Sequence, residues 1–288
     1  MSGYFLGVDV GATKSQALVA DAGGWALGLD QAGPGNPMNI GYERFAGLLR
    51  DVSQAARAAA GIELAQIRGA GFGIAGYDWP SQRQPCLDAI QTLGLHARLD
   101  LVNDALVALL AGATQGWGVA VVAGTSCNCW GWDAKRRVGR MTGFSWLGEA
   151  AGAHELVRRA LGAVAHAWTQ RGPATQLTEA FCRRAGVPDA AALLEGLTLG
   201  HIRIGPATAP LVFQAAAAGD RVAYELITWA GGELGDLAVG VIRQLALEAL
   251  SFEVVLAGNF FNGSPRLAEI MAEVIHAVAP GARLVRLG

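Results

Sequence analysis

Two short turns rich in small residues could bind phosphate through their backbone. The first, residues 11–14 (Gly-Ala-Thr-Lys), follows an apolar run, and the second is residues 124–126 (Gly-Thr-Ser). Small residues let backbone N–H groups approach an anion, and a threonine hydroxyl adds a donor. Two such turns facing each other would hold a polyphosphate from both sides. The chain has no Walker loop, and no Gly-x-Gly-x-x-Gly leads from a strand through a turn into a helix with an acidic residue downstream.

Asp9 lies near the end of the apolar run that leads into the first turn. Its carboxylate is an oxygen ligand that could hold Mg²⁺ through water. A capping role in the turn is the structural alternative. Lys14 could contact a phosphate or remain solvated. These residues favour a phosphate site with Asp9 as the candidate Mg²⁺ ligand.

The four cysteines form neither a disulfide framework nor a complete metal motif. Cys86 and Cys182 stand alone, and Cys127 and Cys129 make a single Cys-x-Cys without a second pair. On a strand these two thiols share one face, because side chains alternate. We expect buried thiols here rather than metal ligands.

The composition is typical of a folded protein with a sizeable core. The 288 residues are 52% hydrophobic and 16% charged, with a formal net charge of −2. This balance excludes disorder and gives no field that would attract nucleic acid or anionic lipid. No apolar stretch approaches the roughly 20 residues of a membrane helix, and the start lacks the basic segment of a signal peptide. We expect a cytoplasmic protein without nucleic-acid or membrane partners.

Hydrophobic periodicity predicts a strand-rich start in each half of the chain. In the first half, strands are predicted over residues 4–10, 16–20, 25–29, 67–75 and 97–102, and helices over 42–60, 82–93 and 103–112. In the second half, strands are predicted over residues 118–123, 126–132, 137–141, 253–256 and 283–287, and helices over 150–168, 175–185, 220–250 and 265–278.

The two halves also share a short internal similarity. Residues 9–21 can be laid over residues 121–133, which places Thr13 on Thr125. In each copy a strand enters a tight turn, leaves as a second strand and ends at an aspartate. A repeat of this kind indicates two related α/β halves.

Several motifs in order along the chain resemble the actin/hexokinase/Hsp70 ATPase superfamily. Two are the phosphate turns, and Ala257-Gly258-Asn259 after a late strand resembles the adenosine motif. Within the superfamily, the chain is similar to the N-acetylglucosamine kinase and BadF-type ATPase family. The supporting segments are Gly33-x-x-Asn36, Gly73-Ile-Ala-Gly-Tyr-Asp78, Asn103-Asp104-Ala105, Gly124-Thr-Ser-Cys-Asn128 and Gly143-Phe-Ser-Trp-Leu-Gly148-Glu149.

The resemblance implies an α/β fold of two ribonuclease H-like domains with the active site in the cleft between them. Residues 1–115 would form the N-terminal domain, with the first phosphate turn and a catalytic aspartate. Residues 116–288 would form the C-terminal domain, with the second turn and the adenosine motif. Relatives usually continue, beyond the position of Gly288, into a final helix that packs on the first domain. The resemblance also implies a homodimer.

Each matching residue takes a role from the resemblance. ATP phosphates would contact Gly11, Thr13, Gly124 and Thr125, and the nucleoside would contact Gly258 and Asn259. Asp9 would lie behind the Mg²⁺. The amino sugar would contact Asn36, Asn128 and Glu149, with Asp78 as a second candidate carboxylate. Asp104 would be the catalytic base, and its place at the start of a helix equally suits an N-cap.

The chain departs from the family pattern at the site itself. Residues 148–152 read Gly-Glu-Ala-Ala-Gly where the family usually has Gly-Asp-Glu-Gly-Ser. Glu149 is therefore one methylene longer than the usual aspartate, and a second carboxylate is absent. Ser126 and Ala12 replace glycines in the two turns, and both remain small.

Three functional classes are compatible with these residues. The first is an ATP-dependent kinase that makes the 6-phosphate of N-acetylglucosamine or glucosamine. The second is a BadF-like activator ATPase, which needs a cysteine at a shared dimer edge for an iron–sulphur cluster. The third is a non-catalytic sugar sensor, which would tolerate loss of Asp104. Because Asp104 is present and Cys127 lies directly after the phosphate turn, the kinase is favoured.

Overall fold

Each half of the chain forms one five-stranded sheet with a hydrophobic core of its own. The computed structural model describes residues 3–287, and the chain divides into two units, Met1–Ala111 and Gly112–Gly288. The boundary between residues 115 and 116 that the resemblance implies stays a prediction.

The first unit begins with an antiparallel meander and continues with parallel strands. Its strands are β1 (Tyr4–Val10), β2 (Ser15–Asp21), β3 (Ala26–Ala32), β4 (Ile67–Ile74) and β5 (Arg98–Val102). Its helices are α1 (Pro37–Ile40), α2 (Tyr42–Ala60), α3 (Arg83–Gln91) and α4 (Asp104–Gly112). The strand order is β3-β2-β1-β4-β5, with β1 antiparallel to β2 and parallel to β4.

The alternation of residues in β1 decides which face of this sheet is buried. Leu6, Val8 and Val10 are buried, whereas Asp9 points to the opposite face and is exposed. Helix α2 packs on the buried face, because its apolar residues recur at helical spacing and form one stripe. Helix α2 therefore does not cover the face of the sheet that carries Asp9.

The second unit repeats this arrangement and adds more helices. Its strands are β6 (Gly118–Ala123), β7 (Cys127–Trp132), β8 (Val138–Arg140), β9 (Phe252–Ala257) and β10 (Ala282–Arg286). Its helices are α5 (Ala153–Trp168), α6 (Leu177–Ala185), α7 (Ala190–Thr198), α8 (Ala209–Ala217), α9 (Arg221–Leu245) and α10 (Pro265–His276). The long helix α9 lies across the sheet and forms the centre of the core.

The two sheets have the same strand order. The second sheet runs β8-β7-β6-β9-β10, so β6 corresponds to β1 of the first sheet and β7 corresponds to β2. The turns that contain Thr13 and Thr125 are therefore equivalent hairpins. This shared topology agrees with the internal similarity seen in the sequence.

The structure differs from the predicted elements mainly in the helices. Helices α1, α7 and α8 were not predicted. Helix α1 has only four residues, and the alanine-rich helices α7 and α8 show little periodicity. Asp189 caps α7 by accepting from the N–H of Ala192, a signal that the sequence does contain. The helix predicted to reach residue 250 ends at Leu245, where Ala246 adopts a left-handed conformation with φ 55°. Among the helices within residues 3–287, none has the length and apolar character needed to cross a bilayer.

Candidate active site

Three carboxylates of the first unit lie at the carboxyl ends of its parallel strands. Asp9 is near the end of β1, Asp78 follows β4 and Asp104 follows β5. Parallel strands bring the residues that follow them to one edge of the sheet, which is where open α/β sheets bind ligands. Residues that are distant in sequence thus become neighbours.

Gly73 in β4 allows Asp9 and Asp104 to approach each other. It is the register partner of Asp9 in the neighbouring strand. A Cβ built on Gly73 would lie 2.2 Å from Val107 Cγ2 and 3.5 Å from the Cα of Asp104. The first turn of α4 therefore rests on the bare backbone of β4, and a side chain here would push Asp104 away from β1.

The negative charges of this cluster act most strongly on Asp104. Burial, together with the charges of Asp9 and Asp78, raises the pKa of Asp104 from 3.8 to about 7, although the N–H of Ala105 opposes the rise. Although Asp9 is accessible to solvent, its neighbours partly desolvate the carboxylate and raise its pKa, and the Lys14 ammonium group opposes that change. A carboxyl group that titrates near neutral pH is well suited to accept a proton during catalysis.

Asn103 is a buried residue whose side chain fixes the geometry of this cluster. Its Nδ2 donates to the Tyr77 carbonyl at 3.2 Å and to Asp78 Oδ1 at 3.1 Å. Its Oδ1 accepts from the N–H of Ala105 at 3.0 Å and caps α4. Asp104 Oδ1 accepts the same N–H at 3.0 Å, so the cap does not depend on Asp104 alone. Sequence reasoning did not include Asn103 among the site residues, since its place before a helix signals a cap but not the contact with Asp78.

The first small-residue turn joins β1 to β2 and lies next to the loop that carries Asn36. The Gly11 N–H donates to the Lys14 carbonyl at 2.9 Å and closes the turn. The Gly11 carbonyl accepts from the N–H of Gly35 at 3.1 Å, which ties the Asn36 loop to the turn. Thr13 and Lys14 are exposed, so both side chains are accessible to a ligand.

Asn36 caps the short helix α1 and lies beside the end of β4. Its Oδ1 accepts from the N–H of Met38 at 2.9 Å. Gly76 leaves room for the Asn36 amide, since a Cβ on Gly76 would lie 2.3 Å from Oδ1. The cap uses Oδ1, so Nδ2 is the group that could donate to a sugar hydroxyl.

Asp9 fits a Mg²⁺ ion that is shared with a nucleotide. Within residues 3–287, no group of three or more His, Cys, Asp or Glu side chains is placed to hold a metal ion. Nucleotide-bound Mg²⁺ usually keeps several waters and takes only one or two carboxylates besides the phosphates. The exposed carboxylate of Asp9 lies just before the first turn and close enough to Asp104 to raise its pKa. This donor fits a partly hydrated cation, which would also reduce the repulsion within the cluster.

The second small-residue turn joins β6 to β7 and supports the start of α5. The Gly124 N–H donates to the Ser126 carbonyl at 2.8 Å. The carbonyls of Gly124 and Thr125 accept from the N–H groups of Ala153 and His154, each at 2.9 Å. These bonds fix the turn against the first turn of α5, while Thr125 itself is exposed.

Gly258 lies against the end of β6, next to the second turn. Its φ is 102°, and a Cβ on it would lie 2.2 Å from the carbonyl oxygen of Ala123. Only glycine tolerates both the positive φ and this close approach of the Ala123 carbonyl. Asn259 is exposed and begins the 3-10 turn Asn259–Asn262, in which Phe260 and Phe261 are buried. The predicted adenosine motif and the second phosphate turn are therefore neighbours.

Glu149 holds the loop that precedes it. Its Oε1 accepts from the N–H of Thr142 at 2.7 Å, and its Oε2 accepts from the N–H of Gly143 at 2.7 Å. Between these residues, the loop of residues 143–148 exposes Phe144 and Trp146, the latter to 84%. Both carboxylate oxygens of Glu149 are thus engaged with the loop backbone. Sequence reasoning did not foresee this contact.

Asn128 lies in β7, two residues after Ser126. Its Oδ1 accepts from the N–H of Cys129 at 2.8 Å. Cys129 is buried and Cys127 partly buried on the side of β7 that packs on the core, as expected from the Cys-x-Cys spacing. Alternation along the strand places Asn128 on the other face.

Comparison with known proteins identifies the family. The sequence model of the BadF/BadG/BcrA/BcrD ATPase family matches residues 6–281. The chain belongs to this family. An N-acetyl-D-glucosamine kinase from Dictyostelium discoideum is 24% identical to this BadF-family chain over 298 residues, covering 98% of the chain and 92% of that protein. An N-acetylmuramic acid/N-acetylglucosamine kinase from Clostridium acetobutylicum is 25% identical over 175 residues, covering 60% and 57% respectively.

Solved structures of sugar kinases share the fold of this BadF-family chain. A Chromobacterium violaceum protein assigned as an N-acetylglucosamine kinase superimposes with a TM-score of 0.73 at 22% identity, covering 98% of this chain and 94% of that chain. A ROK family glucokinase from Streptomyces griseus, in complex with glucose and AMPPNP, gives a TM-score of 0.60 at 18% identity, with 99% and 94% covered. The expected α/β, actin-like ATPase fold is confirmed.

Proposed function

We propose that this BadF-family ATPase is a sugar kinase that transfers the γ-phosphoryl group of ATP to an amino sugar. N-acetylglucosamine is the first candidate acceptor, with the 6-phosphate as product, and glucosamine is the second. The observation that carries the proposal is the cluster of Asp9, Asp78 and Asp104 at the carboxyl ends of neighbouring parallel strands. Burial and the two neighbouring charges raise the pKa of Asp104, which suits a base. The names of the Dictyostelium discoideum and Clostridium acetobutylicum relatives support the class of acceptor.

The proposed mechanism gives Asp104 the role of general base. Phosphoryl transfer has a loose transition state, so positioning and charge neutralisation supply most of the rate. Asp104 would accept the proton of the sugar hydroxyl as its oxygen attacks the γ-phosphorus. Asn103 would keep this base in place by holding both Asp78 and the start of α4.

The two hairpin turns would bind the phosphates of ATP. The N–H groups of Gly11 and Gly124 close the turns, so these glycines would act by leaving room for the phosphates. The exposed hydroxyls of Thr13 and Thr125 would donate to them. Asp9 would hold the Mg²⁺ that accompanies ATP, and that ion would supply positive charge for the transferring phosphoryl group. Asn36, Asn128, Asp78 and Glu149 are the proposed sugar contacts.

A coupled ADP assay over a panel of sugars tests this function. The purified protein with Mg·ATP is expected to release ADP when N-acetylglucosamine or glucosamine is added, and mass spectrometry should then find the sugar phosphate. Comparison with glucose, mannose and N-acetylmuramic acid identifies the acceptor. ADP release that no sugar stimulates would contradict a kinase.

The activator ATPase is the main alternative, and the cysteines disfavour it. Such a protein binds an iron–sulphur cluster through an accessible cysteine between subunits. Here Cys86, Cys129 and Cys182 are buried, and Cys127 is partly buried within its own unit. Purified protein that is brown, contains iron and hydrolyses ATP without sugar would favour the activator instead.

The pH dependence of the reaction should follow the raised pKa of Asp104. Below pH 7 the base is increasingly protonated, so kcat/KM is expected to rise about tenfold per pH unit up to the pKa and to level off above it. Removing the Asp78 charge with Asp78→Asn should lower the pKa of Asp104 and move the acidic limb to lower pH. The new amide oxygen can still accept from Asn103, so the loop is preserved.

An exposed acid far from this cluster provides the control. Asp51→Asn in α2 removes one charge without touching the three carboxylates, and its pH profile should match that of the unmodified protein. An identical acidic limb in Asp78→Asn and in the unmodified protein would show that Asp78 does not act on the base.

A further inference from the structure

The thiol of Cys127 joins the second phosphate turn to the segment that carries Glu149. Cys127 is the first residue of β7, directly after the turn of residues 124–126. Its Sγ donates to the Glu149 carbonyl at 3.6 Å and accepts from the N–H of Ala151 at 3.2 Å. One side chain thus bridges two stretches that are more than twenty residues apart in sequence.

The chemistry of this thiol is that of a hydrogen-bonding group rather than a nucleophile. Burial raises the pKa of Cys127 to about 11, and the nearby Glu149 charge acts in the same direction. The thiol is therefore protonated at neutral pH, as donation to a carbonyl requires, and the reactive thiolate is scarce.

The segment that Cys127 holds has a functional group at each end. At one end, the Glu149 carboxylate binds the N–H groups of Thr142 and Gly143 and fixes the exposed loop. At the other end, the N–H groups of Ala153 and His154 bind the carbonyls of the phosphate turn. The Cys127 thiol lies between these two attachments.

We propose that Cys127 is a positioning residue that sets the spacing between the Glu149 loop and the second phosphate turn. This inference rests on the proposed sugar kinase function and extends it. Without the two thiol hydrogen bonds, the segment can shift relative to the turn, so the sugar and nucleotide contacts on this unit lose their fixed relation. Neither the family motif nor the Cys-x-Cys spacing suggests this role for Cys127.

A matched pair of substitutions separates hydrogen bonding from packing. Cys127→Ser and Cys127→Ala remove similar volume, but only serine keeps a group that both donates and accepts. We expect Cys127→Ala to raise the KM for the sugar about tenfold, whereas Cys127→Ser should stay within about threefold of the unmodified protein. As a control, Cys182→Ser and Cys182→Ala at a buried position in α6 should each leave the KM for the sugar nearly unchanged.

Amide hydrogen exchange gives a second readout that does not require turnover. The Ala151 N–H donates to the thiol, so its exchange should accelerate about tenfold in Cys127→Ala and remain slow in Cys127→Ser. If no sugar stimulates ADP release by the unmodified protein, the proposed function fails while this exchange test still decides the role of Cys127.

Equal KM values and equal exchange rates in the serine and alanine variants would overturn the proposal, because the thiol would then only fill space. If Cys127→Ala fails to fold, Cys127→Thr and Cys127→Val form a second pair of nearly equal shape. Threonine should then retain the low KM and the slow exchange of Ala151, and valine should lose both.

Discussion

Asp104→Asn is expected to lower sugar-dependent ADP release by about 10³-fold while ATP still binds. Asparagine has nearly the shape of aspartate and can still accept from the N–H of Ala105, so the start of α4 should persist. It cannot accept a proton from the sugar hydroxyl. The measurement is kcat in the coupled assay together with the Kd of a non-hydrolysable ATP analogue by calorimetry. Activity within tenfold of the unmodified protein would exclude Asp104 as the base.

The same substitution should stabilise the protein at alkaline pH. The pKa of Asp104 rises from 3.8 to about 7 on folding, so the folded state favours the protonated form. Ionised Asp104 therefore lowers the free energy of unfolding. This loss is absent below pH 3.8, grows as the pH rises and is complete above about pH 7. With ~1.4 kcal/mol per pKa unit, it amounts to ~4 kcal/mol.

Thermal melting at two pH values checks this effect on stability. Asp104→Asn should melt several degrees above the unmodified protein at pH 8, and the difference should shrink at pH 5. Asp51→Asn, an exposed acid in α2, should show no such gap. A melting temperature that falls in Asp104→Asn at pH 8 would mean that the carboxylate stabilises the fold instead.

Gly258→Ala is expected to abolish ATP binding and to destabilise the second unit by at least ~2 kcal/mol. The φ of 102° strains any side chain, and the new Cβ would collide with the carbonyl oxygen of Ala123. Because Ala123 ends β6 directly before the second turn, the strain would be relieved by moving that turn. Calorimetric titration with an ATP analogue and a urea unfolding curve measure the two effects.

Gly162→Ala in α5 is the matched control for this substitution. A Cβ on Gly162 meets no atom within 4 Å, and alanine favours a helix more than glycine does. Stability should therefore stay the same or increase slightly. Tight ATP binding by Gly258→Ala would show that the Gly258 backbone does not contribute to the nucleotide site.

Patterns along the chain predicted most of the fold. The alternation in β1 and the helical stripe of α2 appear in the sequence because each depends on near neighbours. The same holds for the equivalent hairpins at Thr13 and Thr125, whose likeness is visible as a repeat. Helix α7 was missed because its residues are too uniformly apolar to show a period.

The internal contacts of the candidate site could not be predicted in this way. Sequence order indicates that Asp78 and Asp104 follow neighbouring strands, but not that the Asn103 amide joins them. In the same way, a resemblance assigns Glu149 to a sugar, while the structure shows its carboxylate bound to the backbone of its own loop. Contacts of this kind depend on where the chain folds back, and that information is spread over many residues.

The two hydrophobic cores have no residue in common. The buried residues of one lie between Leu6 and Ile90, and those of the other lie between Val119 and Ala282. Heat can therefore melt the halves in separate steps, and a calorimetric scan would then contain two transitions rather than one. In such a scan, Gly258→Ala would lower the melting temperature of the second unit. Asp104→Asn would raise the melting temperature of the first unit. Each half thus serves as the internal reference for substitutions in its neighbour.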